Sequence, residues 1–251
     1  MDSTEQINTG EIPAWMQRTL QLLGEAQCRR LMEAHVLVAG LGGVGAMAAE
    51  MLVRAGIGRL TLVDHDVVSA TNINRQIGAL HSTIGKPKAQ VMKERLLDIN
   101  PQLRVAVLES FIKEEKLEEI NLKEYDFVVD AIDTLTPKIL FIEKAVKTGV
   151  PLASSMGSGG KSDPSKIMIT GFEKTYNCRL AYLLRKKLRK KGVHGGFRVV
   201  FSTEQVDREK LDLTQEESNK KSIPGTISFV PAIFGCMLAS IVVEGITGDG
   251  A

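Results

Sequence analysis

Val36-Leu-Val-Ala-Gly40-Leu-Gly42-Gly43-Val-Gly45, an Ala/Met/Leu-rich run, and then Leu60-Thr-Leu-Val-Asp64 together decide the fold. An uncharged apolar run, glycines at G-x-G-x-x-G spacing, an amphipathic stretch and a second apolar run closing on a carboxylate spell strand, phosphate loop, helix, strand. Gly40, Gly42 and Gly43 let the backbone turn sharply and approach a phosphate with no Cβ in the way, and the first N–H groups of the next helix point at the anion. Asp64 falls at the carboxyl end of the second strand, where a carboxylate can take the hydroxyls of a ribose. Such a turn can also simply join strand to helix, but the flanking strands and the correctly spaced acid favour nucleotide binding.

Working outward, residues 1–13 are polar and read as a poorly ordered tail. Trp15 to Ala34 carries apolar residues at helical spacing broken by Gly24, predicting two short helices before the first strand. Arg18, within them, reads by itself as a solvated helix residue. Beyond Asp64 comes Asp66, then Thr71-Asn72-Ile-Asn74-Arg75-Gln76, and Gly85-Lys86-Pro87-Lys88-Ala89, where the proline marks a helix start. One charged loop residue would be unremarkable. An Asn72/Asn74/Arg75 cluster and Lys88 at a helix start, both beside a phosphate loop, favour phosphate contacts.

A helix over 88–98, a strand over 103–108, a charged helix over 113–120 and a fourth strand over 127–133 follow, the last apolar throughout as a strand covered on both faces should be. It ends in Asp130-Ala-Ile-Asp133. Asp133 could coordinate Mg²⁺ beside a triphosphate or cap the next helix, and the neighbouring phosphate-facing groups favour the metal. A helix over 137–148 and a strand over 151–155 complete a doubly wound, mostly parallel, Rossmann-like α/β sheet. The organisation expected is an N-terminal tail and helices over 1–34, a nucleotide-binding region over 35–156, and a mixed C-terminal extension over 157–251 within the same globular unit.

That extension opens on Gly157-Ser-Gly159-Gly160-Lys161-Ser162-Asp163-Pro164, which lacks P-loop spacing. A strand over 166–170 leads to a helix over 178–191 ending in Arg185-Lys186-Lys187-Leu-Arg189-Lys190-Lys191, six cations in seven residues. Such a run is usually a solvated face; its density favours a polyanion, since each phosphate neutralised releases counterions. A strand over 197–201 follows, and 204–223 reads as a mobile loop. Residues 222–243 carry no charge and could just cross a bilayer, although burial against the sheet or at a subunit contact is favoured over membrane association. The formal charge of +2 over 251 residues conceals this local basic density. Three scattered cysteines with no C-x-x-C pair suggest neither zinc nor disulfides, and the N-terminus shows no secretory pattern, so a reduced, cytoplasmic setting is expected.

In that order, Val38–Gly45, Asp64, Thr71–Gln76, Gly85–Ala89 and Asp130–Asp133 resemble the adenylating domain shared by ubiquitin-activating enzymes and their bacterial relatives in thiamine and molybdopterin synthesis. Arg18-Thr-x-x-Leu-x-Gly24, Gly157–Pro164 and Val200-Phe-Ser-Thr-Glu204 look most like its tRNA-modifying dehydratase branch. The resemblance implies ATP and Mg²⁺ as cofactors, with a monovalent cation as a further candidate, and a homodimer in which Arg18 reaches the partner's site. It implies that Gly42 and Gly43 cradle phosphate, Asp64 holds ribose, Arg75 and Lys88 offset phosphate charge, and Asp133 holds the metal. The implied substrate is the threonylcarbamoyl group on a tRNA adenosine beside the anticodon, whose carboxylate is adenylated and then attacked from within the group. An activator of a ubiquitin-like sulfur carrier is the alternative, and it would call for zinc cysteines that this sequence lacks. An NAD-dependent or non-catalytic protein would not need the Asn72–Arg75, Lys88 and Asp133 set.

Overall fold

The computed structural model describes residues 11–110, 114–206, 211–212 and 223–248. Helices α1 (Gln17–Leu23) and α2 (Glu25–Glu33) meet at Gly24, whose φ of 81° lets the chain break between them. The five strands β1 (His35–Ala39), β2 (Arg59–Val63), β3 (Arg104–Leu108), β4 (Phe127–Asp130) and β5 (Leu152–Ser155) alternate with α3 (Gly45–Ala55), α4 (Lys88–Ile99), α5 (Glu114–Glu118) and α6 (Leu135–Thr148). Residues 157–248 then add β6 (Ile167–Gly171), α7 (Arg179–Arg189), β7 (Arg198–Ser202), the short β8 (Leu211–Asp212) and β9 (Ile223–Pro224), and α8 (Phe229–Thr247).

The main sheet has the order β3-β2-β1-β4-β5-β7-β6, parallel throughout except for β6 against β7. β1 and β4 are neighbours although three strands of sequence separate them, so the chain winds one way to β3 and the other way from β4. Their carboxyl ends therefore diverge into the crevice where open α/β sheets bind ligands. Alternate residues of β1 face opposite layers. Val36 and Val38 join α3, α4 and α8, while Leu37 and Ala39 join α6 and α7.

The uncharged C-terminal stretch is α8, packed along α3 with Gly235 at the closest point: a Cβ there would lie 2.5 Å from the Val44 carbonyl oxygen. Arg30 donates to the Thr247 carbonyl and Arg198 pairs with Glu244, tying the end of α8 to α2 and β7. By length and composition α8 could cross a membrane, but this face is occupied by the protein's own layers. The expected fourth strand is shorter than predicted. It ends at Asp130 because the Asp130 carboxylate accepts the Ile132 N–H and turns the chain. Most of the expected 204–223 loop lies outside the described residues, and β8 and β9 within it pair antiparallel.

Candidate active site

The site grows from the end of β1. Gly40 has φ 88°, and a Cβ on it would fall 2.8 Å from the Ala131 carbonyl oxygen at the exit of β4. Only glycine serves there. Gly42 faces open space, whereas a Cβ on Gly43 would meet the Arg75 carbonyl and the Pro231 ring. The glycine turn is thus floored by β4, flanked by the Asn72–Arg75 segment and backed by α8, and Gly42 is its open point.

Asp64, at the tip of β2, accepts the Leu41 N–H at 2.6 Å through one oxygen and the Asp66 N–H at 2.8 Å through the other. The carboxylate is held against the turn by two backbone donors. Lys88, only 7% exposed, reaches from the start of α4 to Asp66 at 2.7 Å. Arg75 donates to the Thr71 carbonyl at 2.8 Å and to the Asn74 side-chain oxygen at 2.9 Å, which fixes its guanidinium. Asn74 in turn donates to the Thr226 carbonyl at 3.0 Å, joining this loop to the segment before α8.

Two of the expected phosphate ligands are already spent. Asn72 is buried, and its carboxamide oxygen accepts the Ser69 N–H as part of a capping box, so it shapes the loop and does not face the crevice. Asp66 serves Lys88 and pairs with His65 at 3.2 Å. Asp64, His65 and Asp66 bring possible ligand atoms within 4.8 Å of one another, but Asp66 is engaged by an ammonium, so this trio suits a divalent ion poorly. Asp133 is exposed beyond β4 and does not cap α6, whose N-cap is Thr134. A carboxylate there is a hard oxygen donor of the kind Mg²⁺ takes.

The turn carrying Asp133 is braced by a network the sequence reading did not identify. Lys138, wholly buried in α6, lies 2.6 Å from the Asp130 carboxylate and donates to the Ile132 carbonyl at 3.1 Å, while Ser154 of β5 donates to Asp130 at 2.6 Å. Burial pushes the Asp130 carboxyl upward, and Lys138 and the other donors oppose it. A lysine in an apolar helix face four residues after the helix N-cap was the available signal. Across the rim, Lys161 is buried with its ammonium on the carbonyls of Ser202 and Glu204, and burial lowers its pKa.

Arg18 is exposed on α1 and does not enter this chain's crevice, and Trp15 and Leu22 are exposed at i−3 and i+4 from it. The basic run divides. Arg185 folds back onto the Thr175 hydroxyl and Lys191 pairs with Glu143 at 2.6 Å, whereas Lys186, Lys187, Arg189 and Lys190 are exposed. The run also lies at the end of α7 that leads back to the start of β7, away from the glycine turn.

A glycine turn, a braced tip carboxylate and two cations at the β1/β4 crevice of a doubly wound sheet define a Rossmann-like nucleotide-binding protein. Residues 16–251 match the ThiF family, and the chain belongs to it. A tRNA threonylcarbamoyladenosine dehydratase of Bacillus subtilis strain 168 is 39% identical over 234 residues, spanning 90% of this chain and 92% of the relative. The Escherichia coli tRNA N6-threonylcarbamoyladenosine dehydratase, crystallised with ATP, matches at a TM-score of 0.82 with 36% identity over 95% of this chain and 97% of that one. Its complex with AMP matches at 0.83 over the same shares.

Proposed function

We propose that this chain is an ATP-dependent dehydratase of the threonylcarbamoyl group on a tRNA adenosine. The observation that carries this reading is the convergence of the glycine turn, Asp64, Arg75, Lys88 and Asp133 on one rim, in a chain akin to dehydratases over nearly its full length.

Backbone N–H groups near Gly42 receive phosphate oxygens, and Asp64, already oriented by two donors, takes the ribose hydroxyls. The substrate carboxylate attacks the α-phosphorus, the bond to the β-phosphate oxygen breaks, and pyrophosphate leaves. Arg75 and Lys88 offset the charge that grows on the transferring group, and because the protein holds both in place, little reorganisation is needed as the reaction proceeds. Asp133 would hold Mg²⁺, which neutralises phosphate charge when bound. A nucleophile within the threonylcarbamoyl group then attacks the activated carboxyl, closing a ring and releasing AMP. No enzyme cysteine is called for: Cys28 and Cys178 are buried and neither faces the turn from a motif position.

A homodimer completes the site in this reading. Support comes from Arg18 standing between exposed Trp15 and Leu22, and from the outer face of α8, where Phe229, Cys236 and Ser240 are exposed. Lys186, Lys187, Arg189 and Lys190 offer a basic surface to the tRNA backbone. A reduced cytoplasm suits three unpaired cysteines.

Exchange of labelled pyrophosphate into ATP tests the reading. Exchange that requires threonylcarbamoylated tRNA supports it; exchange driven by a ubiquitin-like carrier with a Gly-Gly end, or none with either, overturns it.

A further inference from the structure

Helix α7 begins at the catalytic rim. Cys178, its N-cap, has its sulfur 3.8 Å from where a Cβ on Gly157 would lie, just past β5. Asn177 donates to the Thr203 carbonyl, just past β7. β5 is the strand next to β4, roughly 5 Å across the sheet. The helix then descends by roughly 15 Å over its ten residue steps, which carries the lysine-rich end away from the crevice.

The rim half of α7 has a composition of its own. Arg179, Tyr182, Lys186 and Arg189 recur at spacings of three, four and three, so they share one helix face, and all four are exposed. Tyr182 is 58% exposed between the two cations. Tyr176, on the segment leading into the helix, is 52% exposed and held edge-on against Phe201 at 5.5 Å. Arg185 anchors that segment from the helix through Thr175. Two large exposed aromatics on a braced surface, flanked by cations, are costly to leave in water and match unpaired RNA, in which bases offer ring faces and the backbone offers charge.

We propose that Tyr182, assisted by Tyr176, is a stacking platform for an unpaired base of the tRNA anticodon loop, with Arg179 and Lys186 on the flanking phosphates. This rests on the dehydratase reading and deepens it: α7 would present the loop, rim end first, to the crevice, and the distal lysines would follow the stem. The chemistry singles out single-stranded RNA, because a duplex hides its base faces and would need only the cations.

The test is fluorescence anisotropy of full-length protein with an anticodon stem-loop and with a fully paired duplex of equal length, alongside tRNA-dependent AMP formation. Tyr182→Ala should weaken stem-loop binding about 5- to 100-fold and leave duplex binding unchanged, while Tyr182→Phe, which keeps the ring, should bind like the parent. Lys186→Ala should weaken both and flatten the salt dependence. If Tyr182→Ala binds the stem-loop as the parent does while the parent forms AMP with tRNA, the platform is wrong and the dehydratase reading stands. If the parent forms AMP only with a carrier protein, both fall. Tyr182 is exposed, so its replacement should not unfold the chain, which circular dichroism would check.

Discussion

Asp133 and Lys138 stand five residues apart and divide one task, since the first faces the crevice and the second holds the turn that presents it. Asp133→Ala should lower adenylation about 10²- to 10³-fold with an unchanged melting temperature; pyrophosphate exchange that keeps its rate and its Mg²⁺ dependence would remove Asp133 from the metal. Lys138→Met should act through the fold. It strands the Asp130 carboxylate in a wholly buried place and costs about 3–5 kcal/mol, seen in urea unfolding. Adding Asp130→Asn should recover much of that stability without restoring catalysis, because the turn loses its tether. Asp133 was legible because an acid at the end of an apolar strand has few structural reasons to be there. Lys138 was not, because nothing local distinguishes a lysine buried on an ion pair from one on a solvated helix face.

At the level of elements, contacts between helices decide what single helices cannot. Glu50 of α3 is buried and meets Arg54 at 2.9 Å and Arg95 of α4 at 2.6 Å. Burial would raise its pKa, but the two guanidiniums outweigh that and hold it below the ordinary value. A depressed folded pKa means stability present above the unfolded value of about 4.3, lost as pH falls through the folded one. Glu50→Gln should therefore lower stability by about 1–3 kcal/mol at pH 7 and by less near pH 3, a comparison calorimetry can make. On α8, Gly235→Ala should push the helix off α3, since backbone lies where the methyl would go. A loss of about 1–3 kcal/mol is expected; a melting temperature equal to the parent's would show that α8 can shift at little cost. The glycine run in 36–45 could be read from spacing alone, whereas Gly235 could not, because its neighbour Val44 lies far away in sequence.

For the whole molecule the question is whether one chain holds a complete site. Arg18 lies outside its own crevice, and the dimer reading makes it the partner's. Arg18→Ala and Asp133→Ala chains should each be inactive alone. Co-expressed with different tags, half of the dimers pair the two, and each such dimer has one intact site of two, so about a quarter of parental activity should return. No recovery in purified mixed dimers would place Arg18 outside catalysis.

The amino-acid sequence by itself determined the doubly wound sheet, the glycine turn, the tip carboxylate and the loop bearing Arg75 and Lys88. These follow from local periodicity and short-range spacing, which the chain carries wherever it folds. Only the tertiary structure decided that Asn72 turns inward, that Arg185 and Lys191 leave the basic surface, that Lys138 holds Asp130, and that the lysines of α7 point away from the crevice. Each of these depends on partners distant in sequence or on the direction in which an element runs. Both are set by how the layers pack, which no local pattern encodes.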